Sequence, residues 1–75
     1  MITLRAFARY REKLGFDQLE IPLPDPPTVA ALLADPRLAG LPADALLAVN
    51  QAFAGPGTGL ADGDEVALMP PVSGG

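Results

Sequence analysis

The chain closes on Met69-Pro70-Pro71-Val72-Ser73-Gly74-Gly75, and the group there that can do chemistry is the α-carboxylate of Gly75. Glycine carries no Cβ, so a Gly74-Gly75 end can be threaded down a channel too narrow for other residues. A carboxylate presented in this way can be taken into another protein's nucleotide site and activated there. Chain ends fray by default, and a Ser-Gly-Gly end alone would fit an unstructured stub. The residues just before it shift the balance. Glu65-Val66-Ala67-Leu68-Met69 has an apolar strand pattern and runs into Pro70-Pro71 with no linker between. Two prolines fix φ and remove two backbone donors, so strand pairing must stop there and the chain leaves extended and stiff.

No other residue type competes for a chemical role. Cysteine and histidine are both absent from the 75 residues, which removes disulfides, thiolate and imidazole catalysis, and nearly every transition-metal site. Any sulfur chemistry must use sulfur brought from elsewhere. Gly55-Pro56-Gly57-Thr58-Gly59 lacks the Lys-Ser/Thr of a phosphate loop and is expected to be a flexible loop. Asp62, Asp64 and Glu65 crowd together but lack the further oxygen ligands of a calcium loop, and turn chemistry accounts for Asp62 and Gly63. Asn50 is expected in a left-handed or Asx turn between strands. Ser73 has no base to activate it. Neither a metal site nor a bound cofactor is expected. Elimination leaves Gly75. Its carboxylate is a poor electrophile until joined to AMP; sulfur then gives a thiocarboxylate and an amine gives an isopeptide bond.

The elements that must carry this end form one small domain. A chain of this length buries a marginal core. Ile2, Leu4 and Ala6 alternate with Thr3, Arg5 and Phe7, which predicts an opening strand. From Ala8 to Leu14 helix formers dominate, and Gly15 stands where a C-terminal cap belongs. Gln18 to Leu23 alternates again, but Pro22 and Pro24 demote it to an edge strand. Thr28 can cap a short helix with Val29, Leu32 and Leu33 on one face, ended by Asp35-Pro36. A loop or loosely helical connector follows to Asp44. Leu46 to Ala54 is a strand pair, with Leu47 and Val49 facing one way and a tight turn or bulge at Asn50-Gln51. Asp62-Gly63 turns into the last strand, Glu65 to Met69, placed centrally because it is the most apolar. The order predicts an α+β domain over residues 1–69, a mixed sheet packing one face on one main helix, and an extended tail over 70–75.

The net charge of −4 argues against nucleic-acid binding. Arg5, Arg9, Arg11 and Lys13 are four of the five basic residues, and from Asp17 onward only Arg37 faces the carboxylates. No run approaches transmembrane length and the start lacks a signal-peptide pattern, so a cytoplasmic protein that does not engage membranes is expected.

Leu60-x-Asp62-Gly63-Asp64-Glu65-Val66-Ala67-x-x-Pro70-Pro71-Val72-Ser73-Gly74-Gly75 resembles the C-terminal signature of the small subunits of molybdopterin synthase, a family of ubiquitin-like sulfur carriers. Ala48-Val49-Asn50 is similar to that family's central strand, and Phe7-Ala8-x-x-Arg11-Glu12-x-x-Gly15 to its first strand-to-helix passage. The resemblance implies a β-grasp, ubiquitin-like fold. It implies that Gly75, with Gly74 beside it, is adenylated by an ATP-dependent E1-like adenylyltransferase and converted by a sulfurtransferase to a thiocarboxylate. ATP would be used by that partner and not held by this chain. It further implies that Pro70, Pro71, Val72 and Ser73 enter the large synthase subunit, within a heterotetramer, where the precursor pterin (precursor Z) receives sulfur. Carriers of the thiamine and tRNA-thiolation pathways and ubiquitin-like modifiers share the Gly-Gly end, so these stay open as alternatives. Phe7, Phe53 and Leu60 could join docking, but core packing is the expected role of each.

Overall fold

The computed structural model describes residues 1–71; Val72, Ser73, Gly74 and Gly75 lie outside the described residues. The chain runs β1 (Ile2–Ala6), α1 (Arg9–Leu14), β2 (Gln18–Ile21), α2 (Val29–Leu33), a 3₁₀ turn (Pro36–Leu38), β3 (Leu46–Val49), β4 (Ala52–Phe53) and β5 (Glu65–Met69). The five strands form one mixed sheet in the order β2-β1-β5-β3-β4. β5 pairs in parallel with β1 and antiparallel with β3, which puts the most apolar strand at the centre as its composition predicts. β2 is an edge strand, and pairing stops at Ile21, just before Pro22.

Period-2 alternation decides which face of the sheet is buried. Ile2, Leu4 and Ala6 of β1, Val66 and Leu68 of β5, and Leu47 of β3 point into the core with Val29, Leu32, Leu38, Leu60 and Tyr10. Leu4, Leu32, Val66 and Leu68 are wholly buried, each contributing roughly 1.5–3 kcal/mol by removal from water. The helical layer over this face is divided between α1 and α2, of 6 and 5 residues, where the sequence suggested one main helix. β2 lies between the two helices, and Pro36 keeps α2 short, since a proline cannot continue it. The 3₁₀ turn it opens brings Leu38 into the core.

Local capping follows the residue types. Gly15 ends α1 at φ 85°, and its N–H donates to the Arg11 carbonyl. Thr28 Oγ1 accepts from Ala31 N at 3.2 Å. The glycine loop, expected to be flexible, is tied to the start of α2 instead. Val29 N donates to Thr58 O and Ala30 N to Pro56 O, both at 2.9 Å, while Leu60 N donates to Pro27 O at 2.7 Å. The first-turn donors of a helix have no intrahelical partner, and this loop supplies acceptors for two of them. Among the described residues, no helix is long and apolar enough to cross a membrane.

Tyr10 is fully buried, yet its hydroxyl has no hydrogen-bond partner among the described residues. A buried hydroxyl without a partner carries its full desolvation penalty. Tyr10→Phe is therefore expected to stabilise the fold by about 1 kcal/mol, raising the melting temperature by about 4–8 °C. Thermal denaturation followed by circular dichroism checks this; a lower melting temperature would contradict it.

Candidate functional site: the tail exit and the outer face of the sheet

β5 leads directly to the tail. Met69 pairs with Leu46, and Phe7 N donates to Leu68 O at 3.1 Å, so the strand is held on both sides to its last residues. Pro70 and Pro71 follow without further strand structure and are half-buried. The other expected tail residues, Val72, Ser73, Gly74 and Gly75, lie outside the described residues. Because β1 and β5 are parallel, α1 with Arg9, Arg11 and Lys13 begins at the same end of the sheet at which the tail leaves.

The face of the sheet turned away from the helices carries a second cluster. Register places Phe53, Ala48, Ala67 and Arg5 in one row across β4, β3, β5 and β1. Around that row Arg5, Phe7, Ala48, Gln51, Glu65, Ala67 and Met69 enclose a depression of about 270 Å³. Ala48 and Ala67, paired across β3 and β5, are both among its lining residues, and Ala48 is buried. The Arg5 guanidinium lies 5.3 Å from the centre of the Phe7 ring and 3.7 Å from the Glu65 carboxylate. Both charged side chains are well exposed, so solvent screens the pair and its contribution to stability is small. On the other side of Arg5, Ala6, Phe7, Arg11, Asp17 and Gln18 border a smaller notch of about 120 Å³.

Phe7 and Phe53 correct the sequence-based expectation of core packing. Phe7 is 38% exposed and Phe53 76% exposed, while Leu60 is buried as expected. The reason is register. Phe7 continues the Thr3-Arg5 face of β1, and Phe53 pairs with Ala48, whose Cβ points away from Leu47 and Val49. Ala48, Ala67 and Met69 were not singled out from the sequence. The signal available was the alternation of Glu65, Ala67 and Met69 with the core residues Val66 and Leu68.

The far end of β5 is locked by a polar clasp. Asn50 and Gln51 form the two-residue turn between β3 and β4 with φ of 50° and 71°, the positive values a tight hairpin requires. Asn50 is left-handed as predicted, and its side chain reaches across to the next turn. Asn50 Nδ2 donates to Asp64 Oδ1 at 2.9 Å, and Asn50 Oδ1 accepts from Glu65 N at 3.0 Å. The other Asp64 oxygen accepts from Ala61 N at 2.8 Å. Asp64 is held below the ordinary aspartate range, first by the Ala61 backbone bond and then by Asn50. Asp62 pairs with the N-terminal amine. The acidic residues that crowd this turn are thus engaged in holding it.

The depression presents one guanidinium, one carboxamide and one carboxylate, with Arg5 and Glu65 turned towards each other. A central β5, its parallel partner β1, two short helices on one face and a chain end leaving the middle of the sheet define a β-grasp, ubiquitin-like domain. Comparison with known proteins narrows this. Residues 4–75 match the ThiS family, and the chain belongs to it. It is 43% identical, over an alignment of 89 positions covering 100% of both sequences, to the molybdopterin synthase sulfur carrier subunit of Escherichia coli. Among solved structures, it resembles a Pyrococcus furiosus protein described as molybdopterin converting factor subunit 1, with a TM-score of 0.83 and 30% identity over 95% of this chain and 97% of that one. The small archaeal modifier protein SAMP1 of Haloferax volcanii gives a TM-score of 0.69 and 29% identity over 99% and 98%. The family resemblance and the β-grasp fold drawn from the sequence both stand.

The Asp64 clasp yields a pH-dependent expectation. A carboxyl whose folded pKa is depressed contributes stability that is present above its unfolded pKa and is lost as pH falls through the folded value. In Asp64→Asn one of the two side-chain acceptors becomes a donor, so the bonds from Ala61 N and Asn50 Nδ2 cannot both persist. Wild type should melt higher than Asp64→Asn from neutral pH to about pH 5, the gap closing below about pH 4, near where free aspartate titrates. Melting curves of both proteins between pH 7 and 2.5 test this, and a constant gap would contradict it.

Proposed function

We propose that the chain is a sulfur carrier that serves as the small subunit of a molybdopterin synthase in the cytoplasm. The observation that carries the proposal is the end-to-end 43% identity to the E. coli subunit of that name, in a chain whose Gly74 and Gly75 stand five and six residues beyond the central strand. In this reading an E1-like adenylyltransferase joins the Gly75 carboxylate to the AMP part of ATP and releases pyrophosphate. A sulfurtransferase then delivers sulfide, which displaces AMP and leaves a thiocarboxylate. The thiocarboxylate is anionic near neutral pH and a softer nucleophile than the carboxylate, suited to sulfur transfer. Pro70, Pro71, Val72 and Ser73 carry it into the large synthase subunit, where two such deliveries give precursor Z the two sulfurs of a dithiolene and water supplies the oxygen that regenerates each carboxylate. Two small subunits on a large-subunit dimer make the working heterotetramer. The carrier holds no cofactor; ATP belongs to the activating partner.

The division of labour fits the geometry. The bonds on both sides of β5 fix where the tail starts, and Pro70-Pro71 have no backbone N–H with which to extend the sheet. The outer face beside the exit carries exposed Phe7 and Phe53, and exposed aromatic side chains are favoured anchors in protein interfaces. Likeness to an archaeal modifier protein supports a second reading, in which the activated Gly75 is joined to an amine of another protein. Both readings share the adenylate and part at the nucleophile.

Intact mass spectrometry after incubation with ATP, the adenylyltransferase and a sulfide donor tests the proposal. Replacement of one oxygen by sulfur is expected in wild type and absent when Gly75 is deleted. Gly75→Phe should lose product by about 100-fold or more, because misplacement of the reacting group by about 1 Å has that scale of effect. Isopeptide adducts without thiocarboxylate would favour the modifier reading, and an unchanged mass with a partner active on a known carrier would remove the sulfur reading and leave the modifier to be tried.

A further inference from the structure

We infer that the helical face of the domain carries a seat for the chain's own tail, a depression beside the exit that accepts the side chain of Val72 and holds the chain end until a partner draws it out. Its consequence for sulfur transfer rests on the reading of Gly75 as the loaded group; the seat itself does not. Leu33, Leu38, Leu41, Ala43, Ala45 and Leu47 are among the residues enclosing a space of about 210 Å³ between α2, the 3₁₀ turn and the start of β3. Every side chain that lines it is apolar. Leu38 and Leu47 are buried, while Leu33 and Ala43 are exposed. An apolar cavity of about 150 Å³ holds a benzene molecule, so the isopropyl group of a valine has room here.

Register brings the tail to this seat. Leu46 stands opposite Met69 and Leu47 opposite Leu68 in the antiparallel β3–β5 pair. One further step of that register sets Ala45 opposite Pro70, at a strand spacing of about 4.8 Å. There the lead-in to β3 turns, Ala45 N donating to Pro42 O at 3.1 Å, which puts Pro42 and Ala43 at the border of the depression. On the other side of β5, Phe7 N bonds Leu68 O and the chain then departs into α1. Pro70 and Pro71 are half-buried, so the tail begins against the domain. Two residues span at most about 7 Å, and Val72 is therefore within reach of the seat that Pro70 adjoins. Composition names the occupant, because Val72 is followed only by Ser73, Gly74 and Gly75 and is the one apolar side chain among them. Pro70 and Pro71 have no N–H to strand against an apolar surface. With one side chain engaged and no strand ladder, the hold is weak enough for a partner to break. A seated Val72 keeps Gly75 within about 10 Å of the seat, whereas a free tail reaches about 20 Å from Met69.

NMR of the full chain with labelled methyl groups, beside a chain ending at Pro71, tests the contact. Nuclear Overhauser contacts are expected from the Val72 methyls to those of Leu33, Leu41 or Ala43, and the Leu33 and Leu41 signals should shift on truncation. Ala43→Asp puts a charge at an exposed loop position, so the melting temperature should hold while the contacts disappear. The apparent KM of the adenylyltransferase of the same organism for this variant should then fall about fivefold with kcat unchanged, because a substrate that is only fractionally competent loses that fraction in apparent affinity. Absence of the contacts in wild type would overturn the seat, and a KM for Ala43→Asp that is unchanged or higher would overturn its hold on the tail. Contacts found only between differently labelled molecules would overturn the seat too, by giving the depression to a second copy of this chain. The contact is read without sulfur. If it is present while Gly75 is never sulfurated, the carrier reading falls and the seat stands; normal sulfuration without the contact gives the reverse.

Discussion

The parallel pairing of β5 with β1, backed on the other side by antiparallel β3, is the constraint from which the rest of the molecule follows. It puts Val66 and Leu68 against Leu4, Ala6 and Leu47, at the middle of a core with little apolar surface to spare. It sends the end of β5 out on the same side as the start of α1. It also aligns Ala67 between Ala48 and Arg5 on the outer face. A slip of one residue in β5 would turn Val66 and Leu68 to solvent and Ala67 and Met69 to the core. Core formation and the placement of the tail are therefore one event.

The polar residues support that arrangement at its margins. Asn50, Asp64 and the Ala61 N–H close the end of β5 opposite the tail. The glycine loop spends its carbonyls on the first turn of α2, a helix of 5 residues, too short to be stable by itself. Short helices under a small sheet need such outside acceptors, because their own hydrogen bonds satisfy few of their end groups. The two faces of the sheet thus differ: one packs the core, and the other carries the exposed Phe7 and Phe53.

Much of this was legible in the residues. Alternation in Ile2–Ala6 and Glu65–Met69 gave both central strands and their buried faces, since a half-buried strand has to repeat every two residues. Gly15, Thr28 and Asn50 marked a helix end, a helix start and a hairpin turn through backbone chemistry that operates within a few residues. Phe7 and Phe53 were misjudged because hydrophobicity does not say which side of a strand faces the core. The glycine loop was misjudged because its partners, Val29 and Ala30, lie more than twenty-five residues earlier in the chain.

What the sequence by itself determined is the local grammar and which residue types the chain offers for chemistry. Strand periods, proline stops, the absence of histidine and cysteine, and a terminal Gly74-Gly75 are properties of neighbouring residues or of composition, so no folding is needed to see them. The tertiary structure alone decided which side chains share a surface. Ala48, Ala67 and Met69 come from β3 and β5 and Phe7 from just beyond β1, and only the β1-β5-β3 register makes them line one depression. Register is a sum of many weak long-range packing terms over the whole sheet, and no short stretch of sequence contains that sum.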